Sequence, residues 1–146
     1  MQQLASVRAL AFDLYGTLLD VRSVEARCAG VMPDAAAFVA LWRAKQLEYT
    51  FLRTLMGRYE DFWQVTADAL DYAAERFSLP LASTQREDLL GAWLTLTPFP
   101  EVPAALRALS ARPLAVLSNG SPRMLDAALT DSGLRSHFAH VLSVDA

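Results

Sequence analysis

Two places in the chain set reactive side chains at the ends of short apolar runs. In the first, Val7-Arg8-Ala9-Leu10-Ala11-Phe12 runs into Asp13, followed by Leu14-Tyr15-Gly16-Thr17. In the second, Leu114-Ala115-Val116-Leu117 runs into Ser118-Asn119-Gly120-Ser121-Pro122. A short apolar run reads as a buried strand, and Gly16 permits the tight loop that must follow the first one. Asp13 then stands just past the carboxyl end of a central strand, where open α/β sheets place their chemistry. A lone carboxylate beside backbone N–H groups and the Thr17 hydroxyl can act as a nucleophile, a metal ligand or a general base. It can equally cap the turn that follows it.

Phe12-Asp13-Leu14-Tyr15-Gly16-Thr17-Leu18 resembles the first motif of the haloacid dehalogenase superfamily, whose members use that aspartate as a covalent nucleophile. The stretch from Leu114 to Pro122 resembles the second motif, an apolar strand ending in Ser or Thr. Phosphatase members carry a second Asp two residues after the nucleophile to protonate the leaving oxygen; here that position is Tyr15. A halide leaving group needs no proton. With Leu41-Trp42-Arg43-Ala44-Lys45-Gln46-Leu47-Glu48-Tyr49-Thr50, these stretches are similar to the L-2-haloacid dehalogenases.

The resemblance implies hydrolytic dehalogenation of short-chain L-2-haloalkanoic acids to D-2-hydroxy acids through an aspartyl ester, with water as the second reactant. The alternatives are a phosphatase of the same superfamily and a non-catalytic half-domain. Residue by residue, it implies that Asp13 is the nucleophile and that Thr17 holds Asp13 or its loop. Ser118 and the backbone N–H groups near Leu14 and Tyr15 would take the substrate carboxylate. Arg43 and Asn119 would cradle the leaving halide, a task suited to a guanidinium. Read from the residues alone, Arg43 can also be a solvated helix residue paired with Glu48. Tyr15, Trp42 and Leu47 are candidates for an apolar substrate pocket, or plain core. No cofactor and no metal are expected, since Tyr15 is a poor substitute for a hard oxygen ligand. The resemblance leaves the oligomeric state open, with homodimers common among relatives.

Relatives also carry a third-motif lysine and a fourth-motif acidic or Ser/Asn-containing strand end, both falling beyond residue 146. The only lysine here is Lys45, two residues from Arg43 on the same predicted helix and therefore on a different face. It reads as solvent-facing, and the chain is expected to be part of a longer protein. Asp145 receives no chemistry.

Between the two motifs the sequence turns helical. Ser23 is a candidate cap for a short helix through Arg27, and Asp20 for the start of the whole block. Asp34 caps a predicted helix from Ala35 to about Met56, with Phe38, Leu41, Trp42, Tyr49, Leu52 and Met56 as its apolar stripe and Gly57 past its end. Asp61 and Gln64 form a predicted capping box for a helix to about Phe77, with Phe62, Val65, Ala69 and Tyr72 on its apolar side. Thr84 and Glu87 form another, ahead of Leu89, Leu90, Trp93 and Leu94. A helix is predicted over residues 101–112 with Pro103 in its first turn, a strand over 114–117, a helix from Pro122 to about Ser132, and a strand over 141–144. The order is β, helical insertion, α, β, α, β: an α/β fold, half of a doubly wound parallel sheet. Residues 1–20 and 98–146 would form this incomplete core. Residues 21–97 would form the insertion, which resembles the family's cap subdomain. With no further strands, the first strand would lie on an exposed edge.

Composition narrows the function classes. The 146 residues are 53% hydrophobic, enough for a real core. A net charge of −3 with no basic cluster argues against a nucleic-acid partner. Charges interrupt every apolar stretch, so none should span a bilayer. Met1-Gln2-Gln3 lacks the start of a secretory signal, and Cys28, the sole cysteine, cannot form an internal disulfide; both point to the cytoplasm. Cys28 is a poor candidate for a catalytic thiol.

Overall fold

The computed structural model describes residues 7–145. The reading of Met1-Gln2-Gln3 lies outside the described residues. Strand β1, Leu10–Phe12, ends one residue before Asp13. The chain then turns back on itself, the N–H groups of Thr17, Leu18 and Leu19 all donating to the Leu14 carbonyl at 3.3, 3.0 and 3.0 Å. Gly16 makes this reversal at a φ of +92°, where a side chain would strain the backbone. Strand β2, Leu19–Asp20, follows at once. The Asp20 carboxylate accepts the Arg22 N–H and caps a 3-10 turn over Val21–Val24, the role expected of it. Ser23 is no cap. Its hydroxyl donates to the Asp20 carbonyl at 2.6 Å and accepts the Thr97 N–H at 3.2 Å, tying the two ends of the helical block together.

Helix α1, Glu25–Cys28, is a single turn. Helix α2, Ala35–Leu55, starts where predicted, with the Asp34 carboxylate accepting the Ala37 N–H at 3.1 Å. Helix α3, Phe62–Arg76, starts at Asp61, which accepts the Gln64 N–H at 2.8 Å. The other half of that predicted box is missing, because the Gln64 amide reaches forward to Asp68 at 2.8 Å. Helix α4, Ser83–Gly91, is capped at Ala82, two residues before the predicted cap Thr84: Gln85, not Glu87, reaches back to a backbone N–H, that of Ala82, at 3.0 Å.

The apolar stripe of α2 divides in two. Phe38 and Trp42 are fully buried, as predicted, whereas Leu52 and Met56 are 43% and 60% exposed. Helix α3 covers one side of α2, setting Tyr72 edge-on to Tyr49 and pairing Asp68 with Arg53 at 2.6 Å. Leu47, Phe51 and Leu55, four residues apart, form an exposed ridge on α2.

A 3-10 turn over Ala92–Leu94 leads to strand β3, Thr97–Pro98, which pairs antiparallel with β2. This two-stranded ribbon is absent from the sequence reading, and two-residue strands carry no periodicity to find. Helix α5, Val102–Ala108, stops short of the predicted Arg112 in turns closed by Ser110 N–H to Arg107 O and Arg112 N–H to Leu109 O. Pro113 holds the residue before it out of the helical region. Strand β4, Leu114–Ser118, helix α6, Pro122–Asp131, a 3-10 turn over Arg135–His137 and strand β5, His140–Ser143, complete the fold.

The parallel sheet has the order β1-β4-β5, with Phe12 level with Val116 and Ser118 level with Ser143. Leu114, Val116 and Ser118 are buried on one face, and Met124, Leu125 and Leu129 of α6 join the same core. Leu117 and Leu142, neighbours in register on the opposite face, are half exposed. Strand β1 is therefore not the buried central strand its apolar run predicts: Ala11 is exposed and Leu10 and Phe12 are half-buried. Among the described residues no strand pairs with its outer side, so it lies on the sheet edge. Among them, too, no helix is long and apolar enough to cross a membrane.

Candidate active site

The structure brings Asp13, Thr17, Tyr15 and Arg43 together at the end of β1. Asp13 is exposed, and the Thr17 hydroxyl donates to its Oδ2 at 3.3 Å. The carbonyls of Leu14 and Leu19 close the tight loop, while the N–H groups of Leu14 and Tyr15 donate to no acceptor among the described residues. The Leu14 side chain is fully buried, so only its backbone can serve a ligand. Free N–H groups in such a loop form an anion site.

Arg43 comes from α2. Its Nη2 donates to the Tyr15 carbonyl at 3.1 Å, its Nη1 donates to Gln46 Oε1 at 2.5 Å, and its guanidinium lies 5.7 Å from the centre of the Trp93 ring. Glu48, its alternative partner in the sequence reading, pairs instead with Lys45 at 2.8 Å. No carboxylate pairs with Arg43 among the described residues. Burial pulls its pKa down, and the negative charge of Asp13 pushes it back up. Asp13 is thus within electrostatic reach of a cation whose hydrogen-bond partners are both neutral.

Tyr15 is buried, packed against the rings of Phe62 and Trp93 at 5.8 and 6.2 Å, and its hydroxyl has no hydrogen-bond partner among the described residues. Burial raises its pKa above the ordinary 10.0, against the pull of Arg43. The buried Cys28 thiol is likewise pushed up by burial, to about 11 from 9.0. Both groups stay protonated in the folded chain at a pH where the unfolded chain ionises. Stability is therefore complete below pH 9 and falls as pH rises, first through Cys28 and from about pH 10 also through Tyr15. Cys28 should account for roughly 2 kcal/mol of this loss. Urea midpoints measured from pH 8 to 11 should fall, and Cys28→Ala should flatten the first part of that slope. A slope unchanged in Cys28→Ala and in Tyr15→Phe would assign the loss to other groups.

Ser118 is buried at the end of β4, its hydroxyl accepting the Gly120 N–H at 3.4 Å. Asn119, next to it, is exposed. Gly120 is required by a close approach: a Cβ there would meet Leu125 Cδ2 at 2.6 Å and Tyr15 Cε2 at 2.8 Å. The Gly120 carbonyl accepts the Ser143 hydroxyl at 2.7 Å, which ties the end of β5 to the same loop. A cleft of about 310 Å³ lies alongside, lined by Thr50, Thr54, Tyr59, Glu60, Phe62, Asn119 and Val144. It reaches Asn119, but Asp13, Arg43 and Ser118 are not among its lining residues.

Of the apolar pocket expected from Tyr15, Trp42 and Leu47, Trp42 is core instead, its Nε1 donating to the Thr66 carbonyl at 2.8 Å, and Leu47 is half exposed on the outer ridge of α2. Lys45 is not simply solvent-facing. Its side chain is 20% exposed and its Nζ sits 4.7 Å from the Tyr72 ring centre. Gln46, Thr66, Trp93 and Gly120 are contributors that sequence reasoning missed. Only Gln46 left a trace there, standing three residues after Arg43 on one helix.

Residues 7–146 match the family model of the haloacid dehalogenase-like hydrolases. The chain belongs to this family. An (S)-2-haloacid dehalogenase of Pseudomonas sp. strain YL is 51% identical over 142 residues, covering 95% of this chain and 61% of that protein. The (S)-2-haloacid dehalogenase of Xanthobacter autotrophicus is 43% identical over 141 residues, 96% of this chain and 56% of that protein. The solved structure of the L-2-haloacid dehalogenase from X. autotrophicus superposes with a TM-score of 0.90 over 94% of this chain and 57% of its own. A second structure of that enzyme, with chloropropionic acid covalently bound, gives 0.89. The haloacid dehalogenase fold is thus shared, and the chain spans about three fifths of the length of the curated relatives it matches.

Proposed function

We propose that this family member belongs to a hydrolytic dehalogenase of short-chain L-2-haloalkanoic acids. One observation carries the reading: an exposed carboxylate, Asp13, faces the field of a cation, Arg43, that no carboxylate among the described residues pairs with. In the proposed reaction an Asp13 oxygen attacks C2 of the substrate from the side opposite the halogen. The carbon–halogen bond breaks and the halide leaves with its electron pair. Water then attacks the aspartyl carbonyl carbon, the ester opens, and the D-2-hydroxy acid departs with its centre inverted once. Arg43 and Asn119 receive the halide. Ser118 and the N–H groups of Leu14 and Tyr15 hold the substrate carboxylate, and Thr17 orients Asp13. The covalent chloropropionic adduct in the X. autotrophicus enzyme supports an ester of this kind.

Residues 21–97 are read as a cap over the core formed by residues 1–20 and 98–146. The β2–β3 ribbon at its two ends and the reach of Arg43 to the Tyr15 carbonyl support that division. A homodimer fits the uncovered ridge of Leu47, Phe51 and Leu55. A cytoplasmic setting fits the free thiol of Cys28.

The test is a paired assay, halide release from L-2-chloropropionate beside phosphate release from an aryl phosphate. Halide and D-lactate should appear without phosphate. Phosphate release in place of halide would transfer the site to phosphoryl chemistry.

A further inference from the structure

Gln46 is fully buried, yet it is polar and sits on the same helix as Arg43. Its hydrogen bonds run in one direction. The Thr66 hydroxyl donates to the Phe62 carbonyl at 2.6 Å, so its lone pair is what accepts Gln46 Nε2, also at 2.6 Å. The Gln46 amide nitrogen therefore faces Thr66, and its oxygen must face Arg43, whose Nη1 donates to it at 2.5 Å. Arginine has only donors and Gln46 Oε1 only accepts, so every link in the chain is satisfied. The far end of this brace rests on α3, where the Thr66 carbonyl also takes the Trp42 Nε1–H.

The identity of the acceptor matters. A carboxylate at position 46 would hold the guanidinium equally well but would cancel its charge. The amide holds it and leaves the charge for another anion. We propose that Gln46 is a positioning residue, a neutral brace that fixes the direction of the Arg43 guanidinium while keeping it uncompensated. This deepens the dehalogenase reading and rests on it for the identity of the anion, a halide.

Two substitutions separate the two halves of the role. In Gln46→Met the brace is lost at nearly constant volume. In Gln46→Glu the bond to Arg43 is kept, Thr66 must turn its hydroxyl from the Phe62 carbonyl to donate to the new carboxylate, and the neutrality is lost. Rotation about the Arg43 guanidinium, read by arginine side-chain nitrogen NMR, should be slow in the unsubstituted chain, fast in Gln46→Met and slow again in Gln46→Glu. Bromide binding, read by bromide NMR line broadening, should weaken on the order of 10-fold in both variants. In halide release kcat should fall by roughly 10- to 100-fold with KM little changed, the pattern of an interaction used in the transition state. A merely structural role would lower the urea midpoint of both variants and leave bromide affinity in Gln46→Glu intact. Slow rotation in Gln46→Met, or unweakened bromide binding in Gln46→Glu, overturns the proposal. If Gln46→Met does not fold, Gln46→Glu decides alone. If the rotation pattern holds but the unsubstituted chain neither binds bromide nor releases halide, the brace stands and the dehalogenase reading falls.

Discussion

Asp13→Asn is expected to lower halide release from L-2-chloropropionate by about 10⁴-fold or more, the scale on which loss of a covalent nucleophile is felt. The amide has nearly the same shape, and its oxygen can still accept the Thr17 hydroxyl that now donates to Oδ2 at 3.3 Å. Because position 13 is exposed, folding should be undisturbed, with unfolding free energy within about 0.5 kcal/mol of the unsubstituted chain. The loss would then belong to the chemistry, since a neutral amide is a far weaker nucleophile than a carboxylate. A single turnover in heavy-oxygen water provides a second check. The product hydroxyl should carry an ordinary oxygen taken from Asp13, and the heavy label should appear on the Asp13 peptide. Heavy oxygen in the product of the first turnover would mean that water attacks the substrate directly and Asp13 is only a base.

Trp42→Ala should be the most destabilising single change in the helical block, costing about 4 kcal/mol. Trp42 is fully buried, with Phe38 and Trp93 edge-on to its ring at 6.1 and 5.5 Å. Truncation would leave a large cavity and strip the Thr66 carbonyl of its indole donor. That carbonyl belongs to the residue that braces Gln46, so the damage reaches toward Arg43. Against a typical total of about 5–15 kcal/mol, such a loss is a large share of the stability. Urea unfolding should show a much lower midpoint with an unchanged slope. Leu47→Ala, on the exposed ridge of the same helix, should shift the free energy by no more than about 0.5 kcal/mol. Equal costs at the two positions would mean that Trp42 is not a core residue.

Much of the fold was legible because its signals are local. Asp20, Asp34 and Asp61 cap the segments they precede because a carboxylate needs only the next few N–H groups to do so. Two apolar runs ending at Asp13 and Ser118 became neighbouring strands because short runs with sharp ends have few other solutions. The β2–β3 ribbon was not legible, since its pairing joins residues far apart in the chain. Nor were the cap of α4, moved by one competing hydrogen bond, and the length of α5, whose last predicted turns close through tighter bonds to Arg107 and Leu109.

For the site, the residue types and their spacing by themselves determined where an exposed carboxylate, its hydroxyl partner and a strand-end serine would stand, because strand ends and tight loops are encoded nearby in the chain. Only the tertiary structure decided which side of α2 is core. Trp42 and Leu47 have the same apolar character, and what separates them is the covering element, not the residue. It also decided that Arg43 is held by Gln46 and the Tyr15 carbonyl rather than by Glu48. A helix offers an arginine several reachable partners, and the loop carrying Tyr15 and the Trp93 ring beside the guanidinium leave it these two.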